Sequence, residues 1–263
     1  MMPTLSAILI VKNAAPYLAR CLESVRFADE IIVLDAGSSD ATVEIARRYT
    51  DKVHVAANWQ GFGIQKNRVL AYAGGDWVLS IDADEVVSEA LRHEIEAAIS
   101  SPVAEVYEMP RLSSYCGRPM RHSGWWPDYI PRLFRRGSAR FSDDRVHERL
   151  VFEGTAARLG TPLLHESFRS LDDVLDKINR YSSAGAEQHL ARGKRGSVGR
   201  AVGHGLWTFL RTYVLRAGFL DGREGFLLAV SNAEGVYYRY LKLMYLQETL
   251  LQNHSQDHHR DDH

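Results

Sequence analysis

The chain has 263 residues, of which 45% are apolar and 25% charged, and this composition allows one large packed domain or a domain with an appendage. Its 32 Lys and Arg nearly balance its 33 Asp and Glu, so the charge balance gives no support to a nucleic-acid partner. Two widely spaced Cys indicate a reducing compartment rather than a disulfide framework. Because neither a secretory leader nor a long uninterrupted apolar run is found, we expect a cytoplasmic protein that does not span a bilayer.

Short β-rich segments alternate with amphipathic segments up to about residue 110. Four strands are predicted, at 5–11, 30–35, 52–56 and 76–81. Helices are predicted at 17–25, 40–48 and 88–99, and the last two begin at hydroxyl or carboxylate N-caps. This alternation is typical of an α/β fold with a mostly parallel sheet, whose ligands bind beyond the carboxyl ends of the strands.

The rest of the chain follows two other patterns. From 111 to 168, Trp-, Pro- and Arg-rich turns dominate and helices are scarce. Short extended segments are predicted there at 132–135 and 146–152. From about 170 to 250 long helical patterns follow an N-cap, Ser170. These helices are broken near 193–199 and 221–225. Residues 251–263 are polar and rich in His and Asp, which predicts a disordered tail.

The fourth predicted strand ends abruptly in three carboxylates, Asp82, Asp84 and Glu85. Residues two apart in an extended backbone project to the same side, so Asp82 and Asp84 can converge on one point just beyond the strand. Two oxygen ligands without a Cys or His beside them suit Mg²⁺ or Mn²⁺ bound to phosphates. The motif fits a metal–diphosphate clamp, and it also fits an acidic turn that caps the following helix.

Three further segments follow strand ends and would meet the acidic motif at the same edge of the sheet. Residues 35–40, Asp-Ala-Gly-Ser-Ser-Asp, offer backbone N–H groups and carboxylates ahead of a helix start. Residues 11–13, Val-Lys-Asn, end the first strand. Residues 61–68 form a glycine-containing loop in which Lys66 and Arg68 can meet phosphate. Each segment by itself is equally typical of an ordinary loop or cap.

In combination, these motifs resemble the family 2 glycosyltransferases, whose catalytic domain has the GT-A fold. The matching segments are Val11-Lys12-Asn13, Asp35-x-Gly-Ser-x-Asp40, Gln65-Lys66-Asn67 and Ile81-Asp-Ala-Asp84-Glu85. Further matches reach along the chain: Trp125-Trp126-Pro127-Asp128, Arg132-Leu-Phe-Arg135, Val146-His-Glu148 and Lys177-Ile-Asn-Arg-Tyr181. They are similar to the branch that contains the lipopolysaccharide core glycosyltransferases, including β-1,4-glucosyltransferases that act on inner-core heptose.

The resemblance implies a fold, a reaction and a division of the chain. The fold is α/β, a GT-A domain with a Rossmann-like, mostly parallel sheet flanked by helices, followed by a helical extension. The reaction is inverting transfer of a hexose, glucose by similarity, from a nucleotide diphosphate sugar such as a UDP-sugar to a lipopolysaccharide core or similar lipid-linked saccharide. The catalytic domain would span 1–168, with a nucleotide-sugar half at 1–110 and an acceptor half at 111–168, before a membrane-associating helical extension at 169–250 and a tail at 251–263.

The family's donor-binding roles carry over onto four matching positions. The resemblance implies that Asn13 and Asp35 border the nucleobase. It implies that Asp82 reaches the ribose and the metal, and that Asp84 ligates Mg²⁺ or Mn²⁺ on the diphosphate. The catalytic machinery would therefore lie at the ends of the first, second and fourth predicted strands.

Other side chains are candidates for binding substrate. Lys66 and Arg68 would contact the diphosphate, because cations offset the charge of the leaving group. His147 would lie near the metal or the acceptor. Trp126 and its neighbour Trp125 would offer the acceptor sugar an aromatic face, although adjacent tryptophans are as typical of core and rim packing.

Inverting transfer needs a carboxylate that takes the proton of the acceptor hydroxyl while the sugar is attacked opposite the departing diphosphate. Many family members carry a Glu-Asp pair before the acceptor helix, and His147-Glu148 is its counterpart here although the letters differ. Glu148 is the first candidate for this base and Asp144 the second, with Asp143 and Asp128 as further candidates. A salt bridge to one of the nearby arginines is the structural alternative for each.

The segment between Leu190 and Leu220 contains six Lys or Arg and no Asp or Glu. On a helix that starts near Val198, apolar and basic residues fall on opposite sides. The apolar side carries Val198, Val202, Leu206, Phe209, Tyr213 and Leu220, and the other side Arg200, His204 and Arg211. Such a helix is typical of an interfacial segment drawn to an anionic membrane surface, so we expect a protein peripheral to the inner membrane. A helix packed on the catalytic domain with a solvated basic face is the alternative.

Three other functions are compatible with parts of the sequence. Paired aspartates at a strand end also occur in haloacid-dehalogenase-type phosphatases, but there they follow the first strand and here they follow the fourth. A catalytically silent membrane scaffold with the same fold would not need carboxylates at 82 and 84. A glycosyltransferase acting on another cell-surface polysaccharide would carry the same motifs, because the shape of the pocket selects the sugar.

Overall fold

The computed structural model describes residues 3–143 and 148–258, with side chains described up to residue 250. Two compact units make up the chain. The sheet unit consists of Met1–Ser113 and Pro127–Glu166, and the helical unit consists of Ser114–Trp126 and Ser167–His263. The division after Glu166 lies close to the expected boundary at 168, whereas 114–126 belong to the helical unit and not to the preceding domain.

The sheet is built around β1 (Leu5–Val11), which pairs with β2 (Glu30–Asp35) on one side and β4 (Trp77–Ser80) on the other. With β3 (Val53–Val55) beside β2, these strands form a parallel block in the order β3-β2-β1-β4. The antiparallel strands β8 (Tyr129–Arg135) and β6 (Val106–Tyr115) continue the sheet beyond β4. The predicted α/β architecture is confirmed, and the first two predicted strands have the observed bounds.

Shorter strands lie around this framework. They are β5 (Glu85–Val86), β7 (Arg118–Pro119), β9 (Ala139–Phe141), β10 (Leu150–Phe152), β11 (Ala157–Arg158) and β12 (Leu163–Phe168). β12 follows β6 in the sheet and pairs antiparallel with β5, and β9 pairs with β10 in a separate two-stranded sheet. The pairing of β5 with β12 fixes the backbone at the last residue of the predicted acidic motif, Glu85.

Helices cover both faces of the parallel block. They are α1 (Ala15–Ser24), α2 (Thr42–Arg47), α3 (Phe62–Leu70) and α4 (Glu89–Ser100). α1, α2 and α4 share an apolar core in which Leu18 and Leu91 are buried with Leu9. α3 contributes Val69 to a second core that contains Ile8. Leu9 and Ile8 point to opposite faces because side chains alternate along a strand, so β1 is buried on both sides.

Residues 61–68, predicted to be a glycine-containing loop, form helix α3 instead. Gly61 precedes the helix with a φ of +119°, and Gly63 packs so closely on Ser142 that a β-carbon would collide with the Ser142 carbonyl oxygen. Glycine lowers intrinsic helix propensity, but the burial of Val69 and the close approach at Gly63 outweigh that preference. Helix α2 starts later than predicted, at Thr42, whose N–H is bound at 3.0 Å by the side chain of Asp40.

The helical unit contains three long helices. They are α5 (Leu171–Ala191), α6 (Val198–Leu210) and α7 (Gly222–His258). α5 begins at the predicted cap, Ser170, whose hydroxyl accepts the N–H of Asp173. The first predicted break occurs between α5 and α6, whereas the second lies earlier than the predicted 221–225. A π-helical turn, Arg211–Leu215, and a 3₁₀ turn, Gly218–Asp221, separate α6 from α7, and 222–225 are already helical. α7 continues into the segment predicted to be disordered, and 259–263 lie outside the described residues.

The buried carboxylate of Asp221 explains why residues 114–126 belong to the helical unit. It accepts the backbone N–H groups of Arg121 and His122, both at 3.0 Å, and the hydroxyl of Ser123 at 3.2 Å. This contact joins residues about 100 positions apart in sequence, so the local turn pattern does not reveal it. Within 3–143 and 148–258, no helix has the length and apolar character needed to cross a membrane.

Candidate active site

The carboxyl ends of β1, β2 and β4 carry the residues that the sequence singled out. After β1 the chain forms β2 and β3 on one side and then β4 on the other, so the strand order reverses between β1 and β4. Open α/β sheets bind ligands in the crevice at such a reversal. Asn13 follows β1, Asp35 ends β2 and Asp82 follows β4.

The loops after β1 and β2 are fastened to each other by short polar side chains. Asp35 is buried and its carboxylate accepts the N–H groups of Gly37 and Ser38, both at 2.9 Å. Asn13, with a φ of +49°, donates its N–H to the hydroxyl of Ser38 at 2.8 Å and accepts the N–H of Ser39 at 2.9 Å. Asn13 and Asp35 therefore lie close together, and their side chains order the loops after β1 and β2, which form the rim of the sheet edge.

Asp82 lies between two cations that come from different elements. Its Oδ1 is 3.1 Å from Lys66 Nζ on α3, and its Oδ2 forms an ion pair with Arg132 on β8. Both cationic side chains are almost fully buried. Burial by itself raises the pKa of Asp82, but the charges of Arg132 and Lys66 hold that pKa well below its ordinary value. Asp82 is therefore ionised.

Glu85, the third carboxylate of the acidic motif, is fully buried and shares Arg132 with Asp82. Its Oε1 lies 2.6 Å from Arg132 Nη2, and its Oε2 accepts the N–H of Asp82 at 2.9 Å. Burial raises the pKa of Glu85, the charge of Arg132 opposes this, and the charge of Asp82 raises the pKa further. Glu85 thus acts as a positioning group, because it fixes both the backbone of Asp82 and the guanidinium of Arg132.

Glu148 reaches the same cluster through Lys66. Lys66 Nζ lies 3.1 Å from Glu148 Oε1 as well as from Asp82 Oδ1, so one ammonium group joins two carboxylates. The absence of a side chain at Gly63 lets Ser142 and Glu148 approach α3. A pocket of about 450 Å³ opens here and is lined by Asp82 and Glu148 together with four cations, Lys66, Arg111, Arg132 and Arg149.

Asp84 faces a histidine that the sequence prediction did not include. His165 Nε2 on β12 lies 3.4 Å from Asp84 Oδ2, and Ser113 Oγ is hydrogen-bonded to His165 Nδ1 at 2.8 Å. Such a second contact orients an imidazole ring so that Nε2 is presented to its partner. Among the described residues, no group of three or more His, Cys, Asp or Glu side chains is arranged to hold a metal ion.

Several predicted residues do not join this cluster. Arg68 donates to the backbone and side-chain oxygens of Asn58, both at 3.0 Å, and does not line the Lys66 pocket. Asp128 forms a salt bridge with Arg111 at 2.7 Å, which is the structural alternative to a role as the base. Trp126 lies in the helical unit, with the Arg121 guanidinium 5.4 Å from its ring centre. Asp144 and His147 lie outside the described residues, and Asp143, which is described, is exposed.

Three side chains near the cluster were not assigned a role from the sequence. Arg132 was part of a matching segment, but only the pairing of β8 with β4 puts it against Asp82 and Glu85. Arg111 on β6 approaches Glu85 at 4.0 Å through the same antiparallel extension. His165-Glu166 repeats the His-Glu pair at 147–148, and this repetition was the available signal for His165.

Comparison with known proteins identifies the family. The sequence profile of glycosyl transferase family 2 matches residues 6–150, more than half of the chain. The chain belongs to this family. An uncharacterized glycosyltransferase of Rickettsia typhi is 31% identical over 96% of this chain and 89% of its own length. The lipopolysaccharide core biosynthesis glycosyltransferase LpsC of Rhizobium meliloti is 33% identical over 87% of each chain. Among solved structures, Staphylococcus aureus TarS 1–349 matches with a TM-score of 0.43 and 16% identity, covering 93% of this chain and 92% of that one.

Family membership accounts for the architecture. The parallel block with its antiparallel continuation and flanking helices is a GT-A-like sheet, as the resemblance implied. Both bacterial relatives cover most of this chain, so the similarity extends beyond the profile match into the helical unit. The protein is a glycosyltransferase of family 2, and one of its relatives is named for lipopolysaccharide core biosynthesis.

Arg132→Met would leave Asp82 and Glu85 without their shared cation. We expect the free energy of unfolding at neutral pH to fall by about 3–5 kcal/mol, because one partner of a buried ion pair is removed. Without Arg132 the folded-state pKa of both carboxyls rises. The loss should therefore be largest above the raised folded-state pKa of these carboxyls in the variant and shrink as the pH falls below it. Urea denaturation at a series of pH values tests this.

Arg135→Met is the matched control on the same strand. Arg135 is exposed and pairs with Glu105 at the surface, so its replacement should cost less than about 1 kcal/mol. If both variants lost the same free energy of unfolding at neutral pH, the stabilising role assigned to the buried ion pairs of Arg132 would be contradicted.

Proposed function

We propose that this glycosyltransferase inverts the sugar's anomeric centre as it transfers a hexose, glucose by resemblance, from a nucleotide diphosphate sugar to a lipopolysaccharide core or similar lipid-linked saccharide. The observation that carries this proposal is the cluster at the end of β4, in which Lys66 joins Asp82 to Glu148. The similarity to LpsC, together with that protein's name, supports the acceptor class. UDP-glucose is the donor to be tested first.

The pocket around Lys66 has the charge that a diphosphate requires. Four cations and two carboxylates line it, so an anionic ligand is favoured there. An ammonium group has three hydrogen-bond donors; two of those of Lys66 face Asp82 and Glu148, which leaves one for a phosphate oxygen. Arg132 Nε is also buried, and no described residue is hydrogen-bonded to it. Asn13 and Asp35 order the adjoining rim, where the nucleobase would lie.

Glu148 is the proposed general base. Its carboxylate takes the proton of the acceptor hydroxyl as the hydroxyl oxygen forms a bond to the sugar C1. The bond from C1 to the diphosphate oxygen breaks on the opposite face, and the nucleotide diphosphate leaves as an anion. Lys66 offsets the charge that develops on this leaving group. Among the described carboxylates considered for this role, Glu148 lines the pocket with Asp82, whereas Asp128 is engaged by Arg111.

Glu148→Gln should reduce transfer by about 10²–10⁴-fold, because the amide cannot accept the hydroxyl proton, while nucleotide diphosphate binding is retained. Release of UDP from UDP-glucose in the presence of truncated lipopolysaccharide measures the reaction, and calorimetry measures nucleotide binding. Glu153→Gln is the control, since Glu153 is exposed in the same region of the chain. Normal turnover in Glu148→Gln would eliminate this residue as the base.

The residues at Asp84 fit a divalent cation such as Mn²⁺ or Mg²⁺. A carboxylate oxygen and an imidazole nitrogen lie 3.4 Å apart, close enough for both to ligate one ion, and Ser113 holds the imidazole from its other side. Asp84 and His165 would hold the cation. Asp82, the other predicted ligand, is paired with Lys66 and Arg132 instead. When bound, the cation would supply Lewis-acid neutralisation of the leaving diphosphate.

Asp84→Ala and His165→Ala should each weaken Mn²⁺ binding by about 10-fold or more, and chelation of divalent cations should stop transfer by the wild-type protein. Mn²⁺ binding in the presence of UDP, followed by electron paramagnetic resonance, gives a readout that does not require turnover. His93→Ala is the control, because His93 is an exposed residue of α4. If Asp84→Ala retained both cation dependence and full transfer, the metal assignment would have to be abandoned.

An apolar stripe on α6 supports docking at a membrane surface. Leu206 is 67% exposed, and Val198, Val202, Leu210 and Val214 repeat its exposure at four-residue intervals. Residues four apart are neighbours on a helix surface, so Val198, Val202, Leu206 and Leu210 form a continuous stripe that winds slowly round α6, and Val214 extends it into the π-helical turn. The face that packs within the unit is a different one, formed by small residues: Ala201 and Gly205 are buried. Two of the expected apolar residues, Phe209 and Tyr213, instead pack on Phe226.

Basic residues accompany this stripe. Arg192, Lys194 and Arg195 precede α6 and are exposed, and Arg200 is exposed on its first turn. Apolar side chains beside cations, without intervening carboxylates, suit an anionic bilayer surface. The proposal is therefore that the protein is peripheral to a membrane, in keeping with an acceptor that is itself lipid-linked.

The full chain should sediment with vesicles containing about 30% phosphatidylglycerol and be released by about 0.5 M salt. Leu206→Gln combined with Leu215→Gln should reduce the bound fraction without affecting folding, because both side chains are exposed. Val103→Gln, at an exposed position of the sheet unit, is the control and should bind as the wild type does. Indifference of the wild type to both anionic lipid and salt would remove the membrane proposal.

A further inference from the structure

A second cavity lies entirely within the helical unit. Its volume is about 500 Å³, and α5, α6, α7, the π-helical turn and the segment that contains Trp125 line it. This volume is in the range of small-molecule binding sites and far exceeds that of one water molecule. The reaction proposed above uses side chains of the sheet unit, so this cavity is not part of that chemistry.

The charged side chains of the cavity wall are all cationic. They are Lys177, Arg211, Arg216 and Arg239, and the wall contains no Asp or Glu. Among the described residues, no carboxylate forms an ion pair with Arg211, Arg216 or Arg239, whereas Arg223 in the same unit pairs with Glu224 at 2.8 Å. Like charges gathered without counter-charges repel one another. An anion in the cavity would relieve this repulsion.

Two of these arginines occupy space that only glycine leaves free. The Arg216 guanidinium lies where the β-carbon of any other residue at position 124 would stand, and Arg239 Nε lies 2.6 Å from the corresponding point at Gly185. Arg239 Nε is buried and has no hydrogen-bond partner among the residues that the structure describes, a condition that costs about 1–3 kcal/mol. The packing thus holds an unsatisfied donor at the cavity, and a ligand oxygen would satisfy it.

The remaining wall suits a sugar ring. Trp125 and Phe168 stack with their ring centres 6.1 Å apart, and both line the cavity. Aromatic faces pack well against the apolar side of a pyranose. Thr208 and Asn232 lie in the same wall, and a hydroxyl and an amide can both donate to and accept from sugar hydroxyls.

We propose that this cavity binds a saccharide that carries a phosphomonoester. A phosphomonoester has a charge of about −2 at neutral pH and three acceptor oxygens, which matches several guanidinium groups better than a carboxylate does. The positive wall excludes a metal cation as the occupant. The head group of phosphatidic acid offers the same phosphomonoester chemistry, so the experiment includes a lipid arm.

Calorimetric titration of the full chain with glucose 6-phosphate tests the site without any sugar donor. We expect saturable binding that is about 10-fold or more tighter than that of glucose or inorganic phosphate, because both parts of the ligand are recognised. Arg216→Gln and Arg239→Gln should each weaken it by about 10-fold or more, since each removes charge-assisted hydrogen bonds. Arg180→Gln is the matched control: Arg180 is exposed on α5 and does not line the cavity.

Two further measurements separate this site from the donor site and from a folding defect. An excess of UDP with Mn²⁺ should leave the affinity for glucose 6-phosphate unchanged, so the result is independent of the proposed transferase reaction. Thermal unfolding followed by circular dichroism checks the variants. Arg216 is exposed, so Arg216→Gln remains informative even if Arg239→Gln, at a partly buried position, were to lower stability.

Three outcomes would overturn the proposal. They are binding of glucose 6-phosphate no tighter than inorganic phosphate, undiminished binding by both arginine variants, and displacement by UDP. A fourth concerns the source of the phosphomonoester. If vesicles with phosphatidic acid, but not with phosphatidylglycerol, required Arg216 while glucose 6-phosphate failed to bind, the saccharide assignment would be rejected and a lipid head group assigned in its place.

Discussion

Asp82 and Glu85 lose most of their contact with water at the end of β4, and the ion pairs with Lys66 and Arg132 offset that loss. Carboxylates crowded in this way would otherwise repel one another or take up protons. Arg132 contacts both carboxylates, and Lys66 extends the network to Glu148. The network thus keeps Asp82 charged, holds the proposed base beside it, and leaves cationic donors facing the pocket.

The network depends on close contacts between distant segments. Gly63 admits the backbone of Ser142 against α3, and the antiparallel pairing of β8 with β4 carries Arg132 to the acidic motif. β12 carries His165 to the same motif, because the pairing of β12 with β5 brings the imidazole close to Asp84. The parallel block supplies the carboxylates, and the antiparallel strands and α3 supply most of their partners.

The charged side chains of the helical unit differ from those of the sheet unit in what they contact. Asp221 is a buried carboxylate satisfied by the backbone of 121–123 and serves to fasten that segment. Arg216 and Arg239 have no such counter-charge within 3–143 and 148–250, and both line a cavity. The apolar stripe through Leu206 is exposed, while small residues form the packed face of α6. The two proposed binding surfaces, one for an anionic saccharide and one for a lipid surface, both lie on this unit.

The sequence by itself determined the parallel strands, the Ser170 cap, the acidic motif and the family, because these depend on local periodicity, capping chemistry and contiguous motifs. It also singled out Lys66 and Glu148. Tertiary structure decided which charges meet: that Lys66 joins Asp82 to Glu148, that Arg132 and His165 belong to the site, and that Arg68 does not. It also decided that 61–68 is a helix and that 114–126 joins the helical unit. These outcomes rest on contacts between residues far apart in sequence, whose geometry no local pattern encodes.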